Sequence, residues 1–251
     1  MKVLAVNIRA GGTASLVRPF VARCLRHEPD VLVISEYRDN ATGAALRKRL
    51  KEVGFEYFAS SVEGKRGNGV LTAAFEPFHA TPNPFGLGED EYPNAVLEGR
   101  FAWGRVLGVY LPGQDRKRPH LQLLAAAAQR DIEIGATSVF IGDFNSGRNE
   151  TDIEANLGRA TLVDEFSTAD LYAELERYST EAWLYMHPGE REFSWYPFRN
   201  DPEFYSRSGW RIDKAFVSPA LLPRLRAADY DHVFESDRLT DHSGLVVDFE
   251  V

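Results

Sequence analysis

Cysteine is nearly missing from this sequence: Cys24 is the sole one among 251 residues. That excludes an intrachain disulfide and any thiolate-based zinc or iron–sulfur site. Long hydrophobic runs are missing too. None approaches the ~20 residues of a membrane span, and the apolar start in MKVLAVNIRAGG is too short for a signal peptide. The expectation is a soluble, cytoplasmic protein with no membrane partner. Positive charge is the third shortage, with 29 Lys and Arg against 37 Asp and Glu for a net −8. An acidic total argues against strong non-specific nucleic-acid binding. It leaves room for a local basic rim, because exposed charges are screened beyond about 10 Å. It also suits a carboxylate cleft for a divalent cation. No internal repeat, low-complexity tract or long linker divides the chain, so 1–251 reads as a single domain, a monomer by default.

What is present is an ordinary globular composition, 44% hydrophobic and 26% charged. Residues 2–8 and 31–35 are β-branched apolar runs of the kind buried on both faces. The pattern predicts helices over 13–27, with Thr13 as N-cap, over about 42–53, stopped by Gly54, and over 119–134. A weaker helical region lies within 164–178. Strands are predicted at 55–60, 69–75, 95–101, 104–110, 137–142, 191–196, 210–217 and 244–250, with 226–235 less regular. The Pro- and Gly-rich stretch 77–93 reads as loop. Strands alternate with helices, but several neighbouring strands are joined by short turns. That pattern suggests mixed α/β sheets.

The informative feature is where isolated polar residues fall. Asn7 ends the first strand. Glu36 follows the second apolar run. Asp143 and Asn145 follow VFIG in GDFN. Asp213 sits inside RIDKAFV. Asp241 and His242 precede GLVVDF. Charged groups at such positions are costly unless paired or bound to a cation. Each residue has a bland reading alone. Asn7 or Asp143 could serve a turn, Glu36 could be a solvated loop acid, and Arg211 or Lys214 could pair with Asp213. Taken together they make a set of hard oxygen donors with one imidazole, which favours magnesium or manganese over zinc.

These segments resemble the endonuclease/exonuclease/phosphatase superfamily, and within it the exonuclease III-like branch of abasic-site endonucleases. The motifs are VNIRAGG, VISEYR, GNGVLTA, VYLPGQ, IGDFNS, FSWYP, GWRIDKAFVS and TDHSGLVVDF, in the family's order and spanning residues 6 to 249. The resemblance implies a four-layer α/β sandwich, with two facing β-sheets flanked by helices. It implies Glu36, Asn7 and Asp241 at a Mg2+ or Mn2+ site. Asp143 resembles the residue that orients or deprotonates the attacking water, and Asn145 and Tyr110 resemble phosphate contacts. Asp213 and His242 resemble a carboxylate–histidine pair. Whether Asp143 or His242 is the base has competing versions, and Asp143 as base with His242⁺ as electrostatic stabiliser is favoured.

Basic residues gather beside the motifs: Lys65-Arg66, Arg116-Lys117-Arg118, and Arg207 and Arg211 flanking Trp210. They tilt the reading towards a polyanion, with Arg211 as one contact. Trp195, Tyr196, Phe198 and Trp210 lie on segments that line the nucleotide pocket in the branch resembled, so Trp195 and Trp210 are expected to touch substrate. DNA is the expected substrate. The segment between Asn145 and Phe193 departs from the repair enzymes, which keeps a lipid or inositol phosphate or a tyrosyl–DNA adduct as alternative substrates. A non-catalytic nucleic-acid-binding module is the third reading, opposed by the complete set of carboxylates.

Overall fold

The computed structural model describes residues 1–64, 66–154, 166–196 and 209–250. Lys65, Phe198, Arg207 and the start of the 164–178 helical region lie outside them. The strands are β1 (Lys2–Asn7), β2 (Val31–Tyr37), β3 (Tyr57–Ser60), β4 (Gly69–Ala74), β5 (His79–Pro82), β6 (Val96–Phe101), β7 (Gly104–Tyr110), β8 (Ser138–Asp143), β9 (Thr180–Glu181), β10 (Asp213–Val217), β11 (Leu225–Asp231) and β12 (Gly244–Phe249). The helices are α1 (Val17–Leu25), α2 (Ala41–Glu52), α3 (Arg118–Ile134), α4 (Asn149–Asp152), α5 (Ala169–Glu176), α6 (Ala182–Met186) and α7 (Val233–Ser236).

Two six-stranded sheets result, ordered β11-β12-β1-β2-β4-β3 and β5-β6-β7-β8-β10-β9. Both are mixed: β1 runs parallel to β2, and β7 parallel to β8, while the other pairs are antiparallel. The apolar runs are continuous because each sheet is covered on both faces. Along β1, Val3 and Ala5 enter the inter-sheet core with Val33, Val139, Ile141 and Val247. Leu4 and Val6 point the other way, into a layer with Phe20, Val21, Leu46 and Leu50 of α1 and α2. On the second sheet Leu107, Phe140 and Phe216 pack under Leu121 and Leu124 of α3 and Tyr172 of α5. The four layers are therefore helix, sheet, sheet, helix. Gly108 marks how closely the sheets approach: a Cβ there would lie 2.7 Å from Val70 Cγ1 and 2.9 Å from Val33 Cγ1.

Local chemistry sets most boundaries. Asn40 caps α2 by accepting from the Gly43 N–H at 3.0 Å, and α3 ends at Gly135 with φ +65°. Several expectations need correction. Thr13 makes no side-chain cap, and a 3₁₀ turn over Ala14–Leu16 precedes α1. The stretch 77–93 contains the short strand β5. Residues 191–196 do not form a strand. Trp195 makes isolated bridges to both Trp210 and His242, so no continuous ladder develops. The 226–235 region splits into β11 and α7.

Candidate active site

Parity along the strands places the first site residues. Residues 3 and 5, 139 and 141, and 215 and 217 face the inter-sheet core. By period two, Asn7, Asp143 and Asp213 share that orientation. Asp143 ends β8, level with Tyr110 of parallel β7 and with Asp213 at the start of antiparallel β10. All three thus reach one end of the second sheet. Asn7 is level with Ser35 on the first sheet. One residue further, the β2–β4 register slips between Ser35 and Tyr37. Glu36 takes φ +53° in that bulge, a device that re-aims a side chain at the cost of local strain.

The two sheets meet through hydrogen bonds. The Asn7 amide donates to Glu36 Oε1 at 3.1 Å and to Asp143 Oδ2 at 2.9 Å. Its carbonyl oxygen accepts from the Arg9 N–H at 2.8 Å. Asn7 therefore bridges two carboxylates with its NH2, and its oxygen, expected to serve a metal, faces Arg9. The Ala10 N–H donates to Glu36 Oε2. Donor atoms of Glu36, Asp143 and His242 lie within 4.8 Å of one another, a grouping able to hold a metal ion. Asp241 stands at the rim, with Oδ1 4.0 Å from His242 Nε2 and Oδ2 3.4 Å from Arg9 Nε and 3.3 Å from Trp195 Nε1.

His242 is buried and its Nδ1 lies 2.8 Å from Asp213 Oδ2. Burial alone would lower its pKa, but the negative charge of Asp213 overrides that and raises it to about 9. The pair itself is braced. Ser194 Oγ donates to Asp213 Oδ2 at 2.7 Å and accepts from the Ile212 and Asp213 N–H groups. Asp143 behaves oppositely. Burial pushes its carboxyl up to about 7, with Asp213 and Glu36 adding to the rise and His242 opposing it. The Asn145 N–H and side-chain amide donate to Asp143 at 2.8 and 3.2 Å, and that amide also reaches the Leu111 carbonyl at 2.8 Å. Tyr110 is pushed up to about 12 by burial and then by Glu36, so its hydroxyl stays a neutral donor.

Three residues join the site that the sequence did not single out. Asn68, in GNGV, donates to Glu36 Oε2 and to the Tyr110 hydroxyl, each at 3.3 Å. Ser194, in FSWYP, orients Asp213. Lys117, grouped by sequence with the basic residues Arg116 and Arg118, is buried and donates to the Asn145 carbonyl. The first two signals were visible inside their motifs, whereas that of Lys117 was not, because its neighbours Arg116 and Arg118 are exposed.

Arg211 is a correction. It is fully buried and donates to Asp152 and, at 2.6 Å, to Glu181, with its guanidinium 4.9 Å above the Trp183 ring. Its guanidinium is engaged by these two buried carboxylates. Lys214 lies 2.8 Å from Asp152 and not against Asp213. Burial opposes ionisation of Asp152, but Lys214 and Arg211 overcome it and hold its carboxyl below the ordinary range. Trp195 and Trp210 are half-buried and pack together at 5.2 Å, and the Trp195 ring is 6.5 Å from the His242 ring. They form an aromatic wall beside the imidazole.

The chain is similar to known proteins. The model of the Endonuclease/Exonuclease/phosphatase family matches residues 4–242. A DNA-(apurinic or apyrimidinic site) endonuclease of Dictyostelium discoideum is 24% identical over 99% of this chain and 71% of its own. An AP endonuclease structure from Archaeoglobus fulgidus superposes with TM-score 0.79 at 21% identity, covering 100% of both chains. A Neisseria 3′ phosphatase, NExo, bound to a product DNA hairpin does so with TM-score 0.78 at 20% identity, again over 100% of both chains.

Proposed function

The chain belongs to the endonuclease/exonuclease/phosphatase family, and from that premise we propose that it is a divalent-metal-dependent nuclease acting on DNA, as an abasic-site endonuclease, a 3′ exonuclease or both. The observation that carries the reading is the seam itself. Glu36 and His242 from one sheet meet Asp143 from the other within 4.8 Å, and Asp213 holds the imidazole from behind. The relatives named above as acting on DNA support the choice of substrate.

The donor set fits a hard cation. Oxygen donors crowd together without a thiolate, and burial, aided by Asp213 and Glu36 and opposed by His242, drives the Asp143 carboxyl up, a cost that a cation beside it would relieve. Glu36 would hold magnesium or manganese, with Asp143 beside it and Asp241 at the rim. When bound, the ion would polarise a phosphate oxygen as a Lewis acid. The remaining steps belong to the chain. Asp143, oriented by Asn7 and Asn145, takes a proton from water as it attacks phosphorus in line, and the opposite P–O bond breaks, its oxygen leaving with the electron pair and taking a proton from solvent. His242, kept as imidazolium by Asp213, faces the charge that develops on phosphate. Tyr110 offers a neutral donor to a phosphate oxygen, the Asn145 amide, engaged with Leu111 and Asp143, holds the general base Asp143 in place, and Trp195 covers the sugar or nucleobase beside them.

The test is cleavage of a duplex with one abasic site and of a 3′ single-stranded end. Magnesium-dependent cutting that EDTA abolishes, with Asp143→Asn losing roughly 10²–10⁴-fold in turnover while staying folded, is the expected result. No cleavage of either DNA under magnesium or manganese, or full turnover by Asp143→Asn, would overturn it.

A further inference from the structure

Beside the reaction centre lies a groove of about 520 Å³, a volume within the ~300–1,000 Å³ range of small-ligand sites. Its walls carry Arg38, Arg66, Asn68, Tyr92, Asn94 and Arg116. Asn68 connects it to the chemistry. Its amide reaches Glu36 and Tyr110 at 3.3 Å, while its oxygen accepts from Arg38 Nε at 2.5 Å. Three arginines face a single acid, Glu89, in a protein of net charge −8. Local positive charge in an acidic molecule draws a phosphate to this edge.

One wall has a second property. The Arg116 guanidinium lies 5.5 Å from the Tyr92 ring centre and donates to the Tyr92 hydroxyl at 2.8 Å. Tyr92 is 40% exposed, so its ring and the guanidinium bonded to it stand at the solvent edge of the groove. The backbone beneath it is fixed: the Tyr92 carbonyl is 3.1 Å from the ring nitrogen Nε2 of buried His120 and accepts from the Ala95 N–H. Ser61 holds the Asn94 carbonyl at 2.7 Å. The Asn94 side-chain oxygen is buried with no hydrogen-bond partner among the described residues. What that oxygen lacks is an N–H donor of the kind a base supplies, such as the thymine N3–H.

We propose that this groove binds an unpaired nucleotide adjoining the scissile phosphate, with Arg38 and Arg66 on its phosphate and the Tyr92–Arg116 pair stacked on its base. The proposal rests on the nuclease reading and narrows it to substrates that expose a base face next to the cut. A phosphate alone would use the arginines but not the ring. A base held in a duplex stack offers its edges and no face. Single-strand sites combine a basic track with an aromatic platform in this way.

The experiment is fluorescence anisotropy of an end-labelled 12-mer of thymidine and of a paired duplex, in EDTA, so that binding is read without turnover. Tyr92→Leu and Arg116→Ala are expected to weaken the single strand about tenfold and the duplex much less. Arg116→Ala and Arg66→Ala should each shallow the salt dependence by about 0.7 in log–log slope. Arg130→Ala, on the C-terminal half of α3 away from the groove, serves as control. Both surface variants are checked by thermal melting, and Arg66→Ala reports independently should either melt early. Unchanged single-strand affinity in all three groove variants overturns the proposal. So does equal loss for strand and duplex, or equal loss of tripolyphosphate binding, which would make the groove a phosphate site only. A wild-type protein that binds as expected but cleaves no DNA sinks the nuclease reading and leaves the groove standing.

Discussion

Asp213→Asn isolates the electrostatic core of the site. In the native protein His242 sits in a buried position that by itself disfavours the imidazolium, yet the Asp213 carboxylate 2.8 Å away carries its pKa from 6.5 to about 9. That rise corresponds to about 3 kcal/mol of preference for the charged form. Asparagine keeps the shape, and its side-chain oxygen can still accept from the imidazole, but the charge is gone. Burial is then opposed only by the charges of Asp143 and Asp241, and His242 is expected to titrate well below 9. The direct assay is the His242 ring-proton shift against pH by NMR in EDTA, where the protein is free of metal. The sign for stability follows from linkage: a raised imidazole pKa stabilises the fold fully below about 6.5 and loses that contribution as pH rises through about 9. The variant should therefore be less stable than wild type at pH 6, with the gap closing towards pH 10. Turnover should also fall at neutral pH. A His242 titration that stays near 9 in Asp213→Asn would refute the assignment of the pair.

Glu36→Gln should abolish the magnesium-dependent stabilisation that wild type is expected to gain, about 3 kcal/mol at 100 times Kd, read as a Tm difference with and without the ion. Lys117→Met should lower kcat about tenfold or more with little change in KM, because the Asn145 turn loses its anchor, and Lys117→Arg should recover part of it. Arg211→Met leaves buried Glu181 without its cation and Asp152 with Lys214 alone, and a cost of about 3–5 kcal/mol should appear as a Tm loss on the order of 10 °C. Weaker DNA binding at an unchanged Tm would instead restore Arg211 to the substrate face. Asp231 accepts from Arg23 and its carboxylate lies 2.7 Å from the His27 ring nitrogen, and although burial opposes ionisation these bonds hold its pKa well below the ordinary carboxylate range. Its contribution is present above about pH 3.9 and is lost as pH falls, so Asp231→Asn should melt earlier at pH 7 and converge with wild type in strong acid.

The site was legible wherever strand periodicity set it. Asn7, Asp143 and Asp213 follow runs whose alternate residues are core, and their shared destination could be read from the pattern and the family resemblance. Glu36 was visible as a residue, but the bulge and positive φ that turn it inward were not, since they arise from pairing with β4. Arg211 was misread because its partners, Asp152 and Glu181, lie 59 and 30 residues away in sequence. A cation beside a motif looks the same in one dimension whether it meets a ligand or a buried carboxylate. The short β5 hid among prolines and glycines because an edge strand of four residues needs little apolar patterning.

Gly108 has a meaning beyond packing. Each sheet brings only half of the catalytic set, so the distance from Glu36 to Asp143 is governed by the thickness of the oily layer between the sheets. A methyl at position 108 would press on Val33 and Val70 and wedge that layer open, two residues back along the strand from Tyr110. Small aliphatic changes deep in the interior can thus retune the gap across which a phosphate is gripped, without touching a single polar atom.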